Sequence, residues 1–172
     1  MEKFGTLLEP TTLRFERLLT GNIEQVWEYL VDEEKRGMWF AGGPTDLSSG
    51  GEMKFIFKNS QFSDPPEPTP EKYADYGDGF VFIAKVVTCE PPKLLVIEWE
   101  GLVTFELEQL GEQVKLLLTH EKMQDTRETR VGTLAGWHTH LDILADRMMD
   151  QAPKGFWSVH MALEGEYEKL VD

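Results

Sequence analysis

The chain has 172 residues, 41% hydrophobic and 28% charged, which fits one globular domain able to bury a substantial core. Its 31 acidic against 17 basic residues give a formal net charge of −14. Such a surface repels phosphate backbones and anionic membrane, so nucleic acid is not an expected partner. Cys89 stands alone, which excludes an internal disulfide and every cysteine-based zinc motif. No apolar run approaches the ~20 residues of a membrane helix, and MEKFGTLLEP lacks the apolar core of a secretory signal. A cytoplasmic protein without membrane insertion is the expectation.

In chain order, TTLRFERLLT (11–20) partly alternates, with Leu13, Phe15 and Arg17 on one side, and predicts a strand. GNIEQVWEYLVD then changes period. Asn22 is placed to N-cap a helix and Gln25 to complete a capping box, while Ile23, Val26, Trp27, Leu30 and Val31 share one face. EEKRGMWF predicts a short second helix stopped by Gly42, Gly43 and Pro44, and the charges of DEEKR read as ordinary solvated surface. GGEMKFIFKN alternates again, with Met53, Phe55 and Phe57 opposite Lys54 and Lys58. Residues 60–79, with four prolines and two glycines, predict a long mobile loop, either a lid or a disordered connection. FVFIAKVVTCE, LLVIEWE, LVTFELEQL and VKLLLTHEKM follow as strands at hairpin spacing, with a bulge or tight turn at Gly101, and make an antiparallel meander. Residues 132–149 predict one long helix, QAPKG breaks it, and FWSVHMALEGEYEKLV predicts another. The sum is an α+β domain with helices against one face of a curved antiparallel sheet.

GWHTHL sets His138 and His140 one residue apart. On a helix two such side chains point roughly 200° apart and cannot share a metal ion. Leu134, Trp137, Leu141, Leu144, Ala145 and Met148 form an apolar stripe, with Thr139, Asp142 and Asp146 opposite and the two histidines at its edges. His120 ends the inward series Val114, Leu116, Leu118, and is either a satisfied core histidine or a polar group that orients a ligand. Nine aromatic residues, Trp39, Phe40, Phe55, Phe57, Phe80, Phe82, Trp99, Phe105 and Trp137, converge if the sheet curls around the long helix. They either fill a flat core or line an apolar pocket. G-x-S-x-G, a phosphate-binding glycine loop, H-E-x-x-H and a Cys–His pairing are all missing, so no catalytic residue, metal or cofactor is assigned. Cys89 reads as a structural, buried thiol.

RFERLLTGNIEQVWEYLVDEEKRGMWFAGG, GGEMKF, EPPKLLVIEWE, TFELEQLGEQVKLLLTH and GWHTHLDILADRM, in that order and spacing, resemble the START-like (SRPBCC) superfamily. Within it they resemble the family named for the activator of the heat-shock-protein-90 ATPase, in its bacterial single-domain form. The resemblance covers about residues 12–149, with 150–172 a C-terminal helical extension of the same single domain. It implies a helix-grip fold, in which a curved sheet wraps around a long C-terminal helix and a cavity lies between them. Trp39, Phe40 and the GWHTHL helix would border that cavity together with inward strand residues. Members of the superfamily bind lipids, polyketides, flavonoid-like or other apolar compounds, and some are cyclases or hydrolases. The eukaryotic chaperone activators carry an additional N-terminal domain for which this chain leaves no room.

Three functions are therefore set against each other. The leading one is a module that binds a small apolar or amphipathic molecule through Trp39, Phe40, Phe55, Phe57, Phe80, Phe82, Trp99, Phe105, His120, Leu134, Trp137, His138, Leu141 and Leu144. The second is an enzyme using His120 or His138 as general acid–base. The third is a co-chaperone-like interaction domain of the stress response, using the acidic surface and the C-terminal tail. That tail is also placed to cover a sheet edge or to form a homodimer contact.

Overall fold

A computed structural model describes residues 3–172. Seven strands, β1 (Thr6–Glu9), β2 (Thr12–Thr20), β3 (Glu52–Phe57), β4 (Phe80–Glu90), β5 (Leu94–Glu98), β6 (Leu102–Leu110) and β7 (Gln113–Glu121), form one sheet in the order β1-β2-β7-β6-β5-β4-β3. Every neighbouring pair is antiparallel. Register breaks at Leu7/Glu9 in β1 and at Val86/Thr88 in β4 mark bulges, which bend a strand and increase its twist. β1 lies outside the stretch read as strand from sequence. At four residues, only partly buried, it carries little periodic signal.

Alternation places one face of this sheet in the core. Leu13, Phe15 and Leu19 of β2, Met53, Phe55 and Phe57 of β3, and Val114, Leu116 and Leu118 of β7 are all buried. Helices α1 (Ile23–Val31) and α2 (Glu33–Gly37) connect β2 to β3. The capping box at α1 is complete: Asn22 Oδ1 accepts from the Gln25 amide at 2.9 Å, and Gln25 Oε1 accepts from the Asn22 amide at 3.0 Å. In α2 the expectation of a solvated DEEKR surface fails at one residue. Arg36 is 2% exposed and donates to the carbonyl oxygens of Ala41 and Gly43 and to the Thr45 hydroxyl. Its guanidinium also lies over the Phe55 ring at 5.2 Å. Five donors in a planar fork can staple a turn in this way, and no charge pattern announces it.

The long helix α3 (Arg127–Met148) begins about two turns before its apolar stripe, capped by Thr126, whose hydroxyl accepts from the Thr129 amide. Helix α4 (Phe156–Leu170) packs against α3. Consequently α3 is buried on almost every side from Val131 to Leu144, Thr139 included, although Thr139 stands opposite the stripe. The Thr139 hydroxyl is satisfied by the Ala135 carbonyl at 2.7 Å.

The proline-rich segment is docked, not free. It contains two short 3-10 turns, Asn59–Phe62 and Glu71–Tyr76. Trp157 of α4 donates to the Ser60 hydroxyl at 3.2 Å and stacks on Tyr73 with ring centroids 5.1 Å apart. Lys72 pairs with Glu164 at 2.8 Å. The expected loop is thus a strap across the outer helix.

Candidate functional site

Between the sheet, α3, α4 and the strap lies a cavity of about 340 Å³. That is within the range of small-molecule sites. The sheet side supplies Phe80, Phe82, Trp99 and His120, the strap Tyr73 and Tyr76, and α4 Phe156, Trp157 and His160. Phe40, after α2, stacks on Trp137 with centroids 5.2 Å apart and rings nearly parallel. Exposure differs around the cavity wall: Tyr76, Glu100 and Gln124 are exposed, while Phe40, Asn59, Phe156 and His140 are buried. The first group forms the mouth and the second the closed end.

Helix α3 faces the cavity with Thr129, Gly132, Thr133, Gly136, Trp137 and His140. These fall at helical spacing on one side. The two glycines are the decisive feature. A Cβ added at Gly132 would meet nothing within 4 Å, and one at Gly136 would touch only the His160 ring, at 4.0 Å. Glycine costs roughly 1 kcal/mol against alanine inside a helix, so here the helix gives up stability at a place that stays hollow. At the mouth, Gly101 holds the tight β5–β6 turn at φ +120, where a Cβ would strike the Glu121 carbonyl.

The four histidines differ in what their nitrogens do. His120 Nδ1 accepts from the Trp137 indole N–H at 3.0 Å, so its proton sits on Nε2 and is donated to the Glu100 carbonyl at 2.9 Å. Both nitrogens are used inside the protein. Burial lowers its pKa, partly offset by hydrogen bonds to backbone carbonyls. His138 lies on the other side of α3, edge-on to Phe4 and Phe15. The Tyr167 hydroxyl accepts from the Gly5 amide and shares a hydrogen bond with His138 Nδ1, both at 2.8 Å. Burial, helped by Arg17 and Lys3, pushes His138 down to about 4. His140 reaches the cavity. Its Nδ1 lies 2.8 Å from the Trp39 carbonyl, and burial pushes the ring down to about 3. On α4, His160 Nε2 lies 2.7 Å from Glu164 Oε1 and 3.2 Å from the Tyr73 hydroxyl.

The structure brings six of the residues singled out in the sequence to the cavity: Phe40, Phe80, Phe82, Trp99, His120 and Trp137. It places the others elsewhere. Trp39, Phe55 and Phe105 surround a separate void of about 10 Å³, barely the room one water needs. Phe57 stacks behind Phe80 at 4.8 Å. Leu134, Leu141 and Leu144 are fully buried core residues outside the cavity lining, and His138 faces Tyr167. An apolar stripe reports where a helix is packed, and a cavity is where it is not. Neither His120 nor His138 presents a free nitrogen to the cavity. Residues missed from sequence include Asn59, Tyr73, His140, Phe156, Trp157 and His160. The tail aromatics were visible, but the docking of α4 onto α3 was not. Among the described residues no group of three or more His, Cys, Asp or Glu is arranged to hold a metal ion. Cys89 is half-buried, and burial raises its thiol pKa.

The profile of the family described as "Activator of Hsp90 ATPase homolog 1-like protein" matches residues 21–149. The chain belongs to this family. A protein of Bordetella parapertussis, solved by solution NMR, is 38% identical with a TM-score of 0.79, over 95% of this chain and 88% of that one. CalU16 from Micromonospora echinospora is 19% identical (TM-score 0.62), covering 92% of this chain and 87% of its own. The Aha1 dimer from Colwellia psychrerythraea is 16% identical (TM-score 0.61), covering 80% and 95%. The latter two share the fold alone. No protein of curated function matches the chain. The α+β helix-grip fold is thus that of the activator family: a seven-stranded antiparallel sheet against a long C-terminal helix. Among the described residues no helix is long and apolar enough to cross a membrane.

Proposed function

We propose that this protein binds a small amphipathic molecule in the cavity between the sheet and α3. The observation that carries the reading is the hollow face of α3: Gly132 and Gly136 leave open a space of about 340 Å³ whose other walls are largely aromatic. Burying ~300 Å² of apolar ligand surface would supply on the order of 7 kcal/mol before association costs, enough without an ionic anchor. The catalytic alternative is weaker because both nitrogens of His120 are engaged and His138 lies off the cavity.

The test is titration with N-phenyl-1-naphthylamine, a neutral fluorescent probe. Binding with enhanced emission is expected. Gly132→Leu, which fills the cavity without a backbone clash, is expected to weaken binding about tenfold or more. Its helix propensity rises at the same time, so thermal stability should hold or increase. Equal probe affinity in the two proteins would sink the reading.

A second copy of the chain is a further partner under this proposal. Val81 and Ile83, with Val87 beyond Lys85, are exposed apolar residues on the outer face of β4, and the Colwellia psychrerythraea relative is described as a dimer. Light scattering of the wild type against Ile83→Lys reads this directly. A monomer in both dismisses it.

A further inference from the structure

The cavity is not uniformly apolar at its closed end. His140 is 5% exposed and ringed by Phe40, Phe57, Phe62 and Phe156, with centroids 4.7–6.2 Å away. A carbonyl oxygen only accepts, so the 2.8 Å bond to Trp39 fixes the ring proton on Nδ1. Nε2 therefore carries a lone pair. It has no hydrogen-bond partner among the described residues, and it is not sealed among them either, because the ring borders the cavity. Burial keeps this imidazole neutral, so Nε2 stays an acceptor across the physiological range.

The Asn59 amide oxygen and the Trp99 indole N–H, on residues that also line the cavity, lack partners too, but both atoms are sealed from it, so of the three only His140 Nε2 is open to an occupant. Unpaired polar groups in an apolar enclosure are costly, and they discriminate between occupants that satisfy them and occupants that do not. From Thr129 to His140 the helix rises about 16 Å, room for two or three fused rings between the mouth and the imidazole.

Resting on the binding function above, we propose that His140 Nε2 accepts a hydrogen bond from a hydroxyl at the inner end of the ligand, and that the ligand class is a hydroxylated aromatic. A hydroxyl suits this enclosure because it donates to the His140 Nε2 lone pair while its ring stays among apolar walls. Flat aromatic walls suit rings.

The experiment displaces bound N-phenyl-1-naphthylamine with 2-naphthol, naphthalene and 2-methoxynaphthalene, which share one ring system. Only the first can donate. Wild-type protein is expected to prefer 2-naphthol about tenfold over both others. In His140→Phe that preference should vanish while naphthalene affinity is kept. The wild type gives a second readout that needs no variant: the ¹⁵N resonance of the unprotonated His140 Nε2 should move upfield with 2-naphthol and stay in place with the methyl ether. If His140→Phe does not fold, this shift decides. Equal affinity for 2-naphthol and its methyl ether, or an unmoved Nε2 resonance, overturns the assignment and leaves the cavity reading intact. Failure of the fluorescent probe itself to bind removes both.

Discussion

All four histidines of this chain have their pKa lowered by burial, and each makes stability depend on acidity. His138 and His160 have pKa values pushed from the ordinary 6.5 to about 4, His140 to about 3, and His120 is lowered as well. Below pH 6.5 the unfolded chain takes up protons that the folded one refuses, so unfolding becomes easier as pH falls. The stability is present in full above 6.5 and is lost toward the folded values, at up to about 1.4 kcal/mol per pH unit for each histidine. Around His138, Arg17 and Lys3 add to the lowering by burial, and the Asp142 carboxylate stands 3.6 Å from its Nε2. Urea unfolding at successive pH values measures the slope. His140→Phe should flatten it by one histidine's share, and an unchanged slope would show that His140 is not a buried neutral group. The same residue illustrates the limit of sequence reading. There both histidines lie at edges of the apolar stripe and only His138 stood among the expected ligand contacts, yet packing turned His138 to Tyr167 and His140 to the cavity.

At the scale of elements, α4 governs what α3 and the strap can do. It buries Thr139 and Ile143 of α3, supplies Phe156, Trp157 and His160 to the cavity, and fastens residues 60–79 through Ser60, Lys72 and Tyr73. Trp157→Ala removes the indole that both stacks on Tyr73 and holds Ser60. A loss of about 3 kcal/mol is expected for such a truncation. Limited proteolysis between Ser63 and Pro70 should speed up, since the strap loses its main anchor. Cleavage at the wild-type rate would mean that the strap is held by something other than α4. None of this was available from local pattern. The strap reads as loop because proline and glycine dominate it, and its attachment depends on partners some ninety residues away.

For the molecule as a whole, a net charge of −14 surrounds a cavity whose mouth carries Glu100. The field repels anions of any shape, over a distance set by the salt concentration. 1-Anilinonaphthalene-8-sulfonate, the sulfonated counterpart of the neutral probe, is therefore expected to bind more weakly at low ionic strength. Added salt should narrow the gap while leaving the neutral probe unaffected. A gap independent of salt would place the discrimination inside the cavity and not in the surface field.

Sequence by itself determined the elements and the class. Period-two runs gave six of the seven strands, the capping box at Asn22 and Gln25 gave the entry to α1, and the ordered set of segments pointed to the activator family. These signals are local, because burying one face of a strand or helix imposes a period on neighbouring residues. Sequence also named the aromatic supply, including Phe40, Trp99 and Trp137 at the cavity. Only the tertiary structure decided which aromatics stay packed and which face empty space. A hollow is the absence of a side chain that would have filled it, here at Gly132 and Gly136, and absence leaves no periodic trace. The second helix layer, the docked strap, the buried Arg36 and the free nitrogen of His140 belong to the same category: each is set by partners distant in the chain.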